Sequence, residues 1–208
     1  MILLTDDGGA AFGGGGGRGG RGGGGAGAPG GAGGAGGVIG QGAAPQGPTP
    51  ADRAKAVADF VTAGGTLVTF NRASLQAATA LQFPITSATT GKTRSEFFVG
   101  GSVLQINTDP TQRVMAGMPE QAGVFFDSGP VFEVAAGFKA TVLAKYQDTG
   151  SPLMSGYLLG EKFMNGKAAA LDVDLGAGHV VMLGFRPQWR GQTMGAFKMI
   201  FNALLSTR

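Results

Sequence analysis

Between residues 8 and 50 about half of the side chains are absent, because glycine fills those positions and Ala, Pro, Gln and Arg fill most of the others. Such a tract has almost no apolar surface to offset the entropy lost on ordering, so it is expected to be a disordered loop. It confines any core to residues 51–208 together with the apolar start at 1–4. That remainder is of ordinary globular composition and suits one domain with one core. The predicted organisation is a strand remnant at 1–7, a glycine-rich insertion at 8–49 and an α/β domain at 50–208.

Ile2-Leu3-Leu4 followed by Thr5-Asp6-Asp7-Gly8 reads as the last part of a buried strand running into a polar loop. A domain rarely begins in mid-sheet, so an amino-terminal part of the fold is expected to be missing. Thr49-Pro50-Ala51-Asp52 supplies an N-cap, a proline in the first turn and an acid three residues after the cap, which predicts a helix over 50–62. Gly64-Gly65 ends it, and Thr66-Leu67-Val68-Thr69-Phe70 reads as a buried strand. A second helix is predicted over 73–81, stopped by Phe83-Pro84.

From 97 to 159 the pattern changes to short strand-like pieces at 103–107, 123–126, 131–134, 141–146 and 156–159, an antiparallel extension of the sheet. Strands at 168–173 and 179–185 flank the turn Gly176-Ala177-Gly178. A closing helix presents Phe197, Ile200, Phe201, Leu204 and Leu205 as a stripe expected to pack on the sheet. The whole reads as an open, mostly parallel α/β sheet with helices on both faces.

Sixteen basic against thirteen acidic residues give a net charge of +3, without a basic run of five, so no polyanion partner is implied. The absence of cysteine excludes disulfides, a thiolate nucleophile and a cysteine metal site. The start carries no secretory signal pattern, and no apolar run approaches the roughly 20 residues of a membrane span. Arg18-Gly19-Gly20-Arg21 is similar to RNA-binding Arg-Gly-Gly segments, but two arginines are few, and a flexible solvated loop with no nucleic-acid partner is expected.

The single histidine, His179, has no acid in the four residues after it and is expected as a turn or strand-edge residue rather than a metal ligand. A G-x-S-x-G elbow is missing. Glu161 is expected as a solvated turn residue. The cluster that could bind something is Arg186, Gln188, Trp189, Arg190 and Gln192, because it follows a strand, and ligands of open α/β sheets sit at the carboxyl ends of strands. Two guanidiniums, an indole and two amides could hold a carboxylate, a sugar or a partner domain. The reading favoured from the residues alone is that Trp189 covers the core while the arginines pair with local acids or helix ends.

Phe60-Val61-Thr62-Ala63-Gly64-Gly65-Thr66-Leu67-Val68, Gly117-Met118-Pro119, Ser155-Gly156-Tyr157-Leu158-Leu159-Gly160-Glu161 and Gly184-Phe185-Arg186-Pro187-Gln188-Trp189-Arg190-Gly191-Gln192, with Phe197-Lys198 and Phe201-Asn202-Ala203-Leu204-Leu205, together resemble the carboxy-terminal domain of bacterial zinc carboxypeptidases of the M14 peptidase family. The resemblance spans residues 51–208 and implies a class I glutamine amidotransferase-like, flavodoxin-like fold. It further implies a secreted or periplasmic enzyme whose zinc is held in a separate amino-terminal domain by a His-x-x-Glu motif and a distant His. Those ligands have no counterpart in this chain, so the chain is expected to hold no cofactor itself and to have an M14 catalytic domain as its partner in cis. The amidotransferase-like fold ordinarily carries a cysteine nucleophile, and this chain has no cysteine.

Overall fold

The computed structural model describes residues 1–5, 12 and 48–206. The predicted disorder of the insertion, and the Arg18 to Arg21 segment within it, lie outside the described residues. Among the described residues, a ten-stranded mixed sheet packs with three helices of nine or more residues. In chain order these are β1 (Ile2–Leu4), α1 (Pro50–Thr62), β2 (Thr66–Phe70), α2 (Arg72–Ala80), β3 (Ile85–Ser87), β4 (Phe98–Val99), β5 (Ser102–Thr108) and β6 (Gln121–Phe126). There follow β7 (Phe132–Val134), β8 (Thr141–Lys145), β9 (Leu153–Ser155), β10 (Leu158–Leu159), β11 (Ala168–Leu175), β12 (Gly178–Leu183) and α3 (Phe197–Leu205).

The main path through the sheet runs β1-β2-β12-β11-β8-β5-β6, with β7 joining β3 to β11 and β9 pairing with β5; β4 and β10 form a separate pair. The α/β class is as expected, and the balance of strand directions is refined. Among the described residues, parallel pairing is confined to β1-β2 and β2-β12, and every other pair is antiparallel. The cause is connectivity. A parallel return needs a crossover of a dozen or more residues, usually a helix, whereas the segments from β4 to β12 are linked without an α-helix.

α1 starts as predicted. The Asp52 amide donates to Thr49 Oγ1 at 3.2 Å and the Thr49 amide to Asp52 Oδ2 at 2.9 Å, so two of the free donors of the first turn are satisfied. All five residues of β2 are buried, as a central strand covered on both faces demands. Its alternation splits the core. Val68 and Phe70, with Val181 and Leu183 of β12, pack with Met199 and Ala203 of α3. Leu67, with Val180 and Met182, packs with Val61 of α1 and Ala77 and Ala78 of α2. Helices therefore lie on both faces. Each large side chain enclosed in these layers stabilises by roughly 1.5–3 kcal/mol.

Two expectations need correction. The start at 2–4 is a strand but not a buried one: Leu3 is 42% exposed, because among the described residues β1 pairs with β2 alone. The closing helix does not seat its predicted stripe, since Met199 and Ala203 are buried while Phe201 is 60% and Leu205 80% exposed. α3 is apolar around most of its circumference, so periodicity alone could not say which side would face the sheet.

Candidate functional site

β2 and β12 run in parallel with Phe70 beside Leu183, so their carboxyl ends open at the same place. There the chain leaves β2 through a sharp turn at Asn71 (φ 51°, ψ −128°) directly into α2. This is the strand-to-helix elbow on which many hydrolases raise a nucleophile. A side chain in this region of backbone space carries a strain of order 1–3 kcal/mol, which persists only where the surroundings hold it. The restraints are visible: the Asn71 amide donates to the Leu183 carbonyl at 2.8 Å, and its Nδ2 donates to the Asp127 carbonyl at 3.0 Å. Ser74 Oγ, on the first turn of α2, donates to the same Leu183 carbonyl at 2.9 Å. Gly129 presses against the elbow, where a Cβ would overlap both the Gly184 carbonyl and Asn71 Oδ1.

The residues singled out in the sequence come together beside this elbow. Arg186 is 9% exposed, its backbone N–H donates to the Phe125 carbonyl at 2.9 Å, and its Nη1 lies 3.0 Å from Asp127 Oδ2. The guanidinium also sits 4.6 Å from the Trp189 ring centre, and Trp189 stacks on Phe125 with centroids 5.9 Å apart. Arg190 is exposed, has φ 52° and lies 5.6 Å from the same ring. Gln192 is exposed, whereas Gln188 is half-buried with its Oε1 enclosed and lacking a hydrogen bond. Arg186 and Trp189 thus close on Asp127 and Phe125, and Arg190 and Gln192 face solvent.

Open space lies on the other side of the Ser128-Gly129 loop. A cavity of about 380 Å³ is bounded by Arg72, Gln76, Thr89 and Ser128, and one of about 260 Å³ by Arg94, Phe98, Thr89 and Ser128. Ser128 itself has φ 57°. Sequence reading passed over Asn71, Asp127 and Ser128. Their one advance signal is residue type, since Asn and Asp tolerate turns and positive φ better than other residues.

Chemically, the elbow presents a carboxamide whose donor is already committed, not a nucleophile. The only histidine of the chain lies at the opposite end of the same strands, with His179 in register with Thr66. Four residues of extended chain place it roughly 13 Å from the elbow. Its Nδ1 is 2.8 Å from Asp172 Oδ1. Among the described residues, no three His, Cys, Asp or Glu side chains gather as a metal site, and no helix is long and apolar enough to cross a membrane. Glu161 is exposed at the start of a 3-10 turn, as expected.

No family model matches the chain, and no curated protein matches it. Among solved structures it is similar to a candidate GMP synthase component from Thermoplasma acidophilum, at 9% identity and a TM-score of 0.46 over 74% of this chain and 63% of that one. It is also similar to a glutamine amidotransferase from Thermotoga maritima, at 12% identity and a TM-score of 0.44 over 73% of this chain and 53% of that one. A third is a β-galactosidase from Bacillus circulans sp. alkalophilus, at 16% identity and a TM-score of 0.47, of which this chain spans 20%. The chain therefore spans less than two thirds of each of these three proteins.

Proposed function

We propose that this chain is a non-catalytic accessory domain of a zinc metallocarboxypeptidase of the M14 type, with peptide hydrolysis carried out by a catalytic domain outside this sequence. The sequence motifs motivate the family. What carries the non-catalytic part is the elbow: Asn71 occupies the position from which a nucleophile would act, and the lone imidazole lies at the far end of the strands. A strained turn holding an amide retains the scaffold of a reactive site without an acid–base pair to drive it. An extracellular or periplasmic location follows from the same reading.

The test is the mass and zinc content of the native product in its source cells, detected with an antibody against residues 51–208. A much larger zinc-bearing polypeptide is expected. A product with the mass of this chain alone, or peptide turnover by the isolated chain with one bound zinc, would overturn the reading.

One observation favours a second reading, a stand-alone module that captures a small anion or glycan through Arg186, Gln188, Trp189, Arg190 and Gln192. Arg190 is held at positive φ with its guanidinium over Trp189 and exposed, and strained residues of this kind cluster at binding sites. Substitution of Arg190 and Trp189 by Ala should then abolish retention on anion and glycan arrays. Unchanged retention would remove the module.

A further inference from the structure

The cavity of about 260 Å³ beside β4 has walls of two kinds. One is apolar, made by Phe97, Phe98, Val99 and Phe126, of which Val99 and Phe126 belong to the buried core. The Phe98 ring lies 4.8 Å from the Arg94 guanidinium and 6.0 Å from the Tyr157 ring. The other wall is polar, made by Arg94, Thr89 and the Ser128-Gly129 loop. An apolar space of about 150 Å³ is enough to hold benzene, so this cavity has room for a ring and a polar group beside it.

The polar wall offers donors and a positive charge. Arg94 is exposed and, among the described residues, makes no ion pair. A ring contact does not satisfy the paired N–H donors of a guanidinium, which match the two oxygens of a carboxylate. Thr89 adds a second donor. Ser87 Oγ accepts from the amides of Val131 and Thr89, at 3.0 and 3.4 Å, and its own proton has one acceptor among the described residues, Thr89 Oγ1 at 2.9 Å. Ser87 is 7% exposed, so its hydroxyl donates there, and the Thr89 proton is left over.

Among the described residues that line the cavity, none is acidic. The carboxylates next to this wall in the chain are already met. Glu96 accepts from the Thr93 amide and hydroxyl, both at 2.9 Å, while Asp127 accepts from Arg186 at 3.0 Å and from Ser128 Oγ at 3.2 Å.

We infer that this cavity binds a small carboxylate with a planar apolar body. The carboxylate is taken by Arg94 and Thr89, and the ring lies against Phe98. A simple anion leaves the apolar wall wet, and a neutral ring leaves the guanidinium without a counter-charge. The site is independent of the Arg186 to Gln192 loop and stands whether or not the chain is an accessory domain.

The probes are benzoate, phenylacetate and phenylpropionate, added singly to the full chain at neutral pH, with acetate and benzyl alcohol as half-ligands. Binding is followed in proton–nitrogen spectra through the amides of Thr89, Phe98 and Ser128. At least one aromatic carboxylate is expected to shift these signals saturably, and each half-ligand to bind at least about tenfold more weakly. Arg94→Gln, an exposed change that should leave Tm nearly unchanged, is expected to weaken the carboxylate about tenfold or more, and Arg190→Ala to leave its affinity as it is. Signals that none of the aromatic carboxylates moves overturn the proposal. So does a shift that acetate or benzyl alcohol reproduces at equal concentration, one that survives Arg94→Gln intact, or one that is lost in Arg190→Ala.

Discussion

The two ends of the parallel strands β2 and β12 solve opposite problems. At the carboxyl end the backbone is strained, at Asn71, Ser128 and Arg190, while the buried guanidinium of Arg186 meets a carboxylate and an aromatic ring. At the amino end neither Thr66 nor His179 has a positive φ, yet the buried imidazole keeps an unused nitrogen. Enclosed polar atoms without a hydrogen bond occur at both ends, Asn71 Oδ1 and Gln188 Oε1 at the one and His179 Nε2 at the other, so it is backbone strain that separates them. The difference makes the carboxyl end a locked scaffold, whereas at the amino end an imidazole is oriented by one carboxylate without backbone strain.

The strongest test of that contrast is Gly129→Ala. The new Cβ would collide with the Gly184 backbone carbonyl, which cannot swing aside, so a loss of about 3 kcal/mol is expected in urea unfolding. A loss below about 1 kcal/mol would show that the carboxyl end is not locked. Asn71 then separates strain from bonding. Asn71→Ala should cost about 2 kcal/mol, because the bond to Asp127 is lost while the unfavourable backbone is kept. Asn71→Gly should cost about 1 kcal/mol less, since glycine takes that conformation freely, and equal losses would mean that no strain is stored there.

At the amino end Asp172→Asn is expected to cost about 1 kcal/mol and to change the Nδ1 and Nε2 resonances of His179, read by long-range proton–nitrogen NMR. Unchanged resonances would mean that the hairpin alone orients the ring. The smallest effect belongs to the capping box of α1, away from both ends, where Thr49→Ala should cost about 0.5 kcal/mol. The Thr49 hydroxyl and amide hold the Asp52 carboxyl below its ordinary value. A depressed carboxylate contributes stability that is present above its unfolded pKa and lost as pH falls through the folded one. The gap between parent and Thr49→Ala should therefore narrow in acid, and a gap that widens would contradict this assignment.

Local rules were sufficient for much of the fold. The helix at 50–62 agrees with prediction at both ends, because a cap, a proline and a glycine pair act within a few residues of each other. The strands at 66–70, 103–107 and 168–173 were legible for the same reason. β9 was missed, since Leu153-Met154-Ser155 is short and exposed and carries no buried alternation. At the candidate site, Arg186 and Trp189 were recognisable from their place after a strand, but Asp127, which pairs with that arginine, is 59 residues away in the chain.

What the sequence determined by itself was composition-limited and local: which stretches could form a core, where helices start, and that cysteine chemistry is excluded. Tertiary structure alone decided the direction of most strand pairs, the buried side of α3, the strain at Asn71 and the partner of His179. Asp172 stands seven residues before the histidine, and only the antiparallel register of β11 on β12 turns that separation into a hydrogen bond. Propensity and capping act over a turn or two of chain, whereas pairing register and burial depend on segments that meet only once the sheet is assembled.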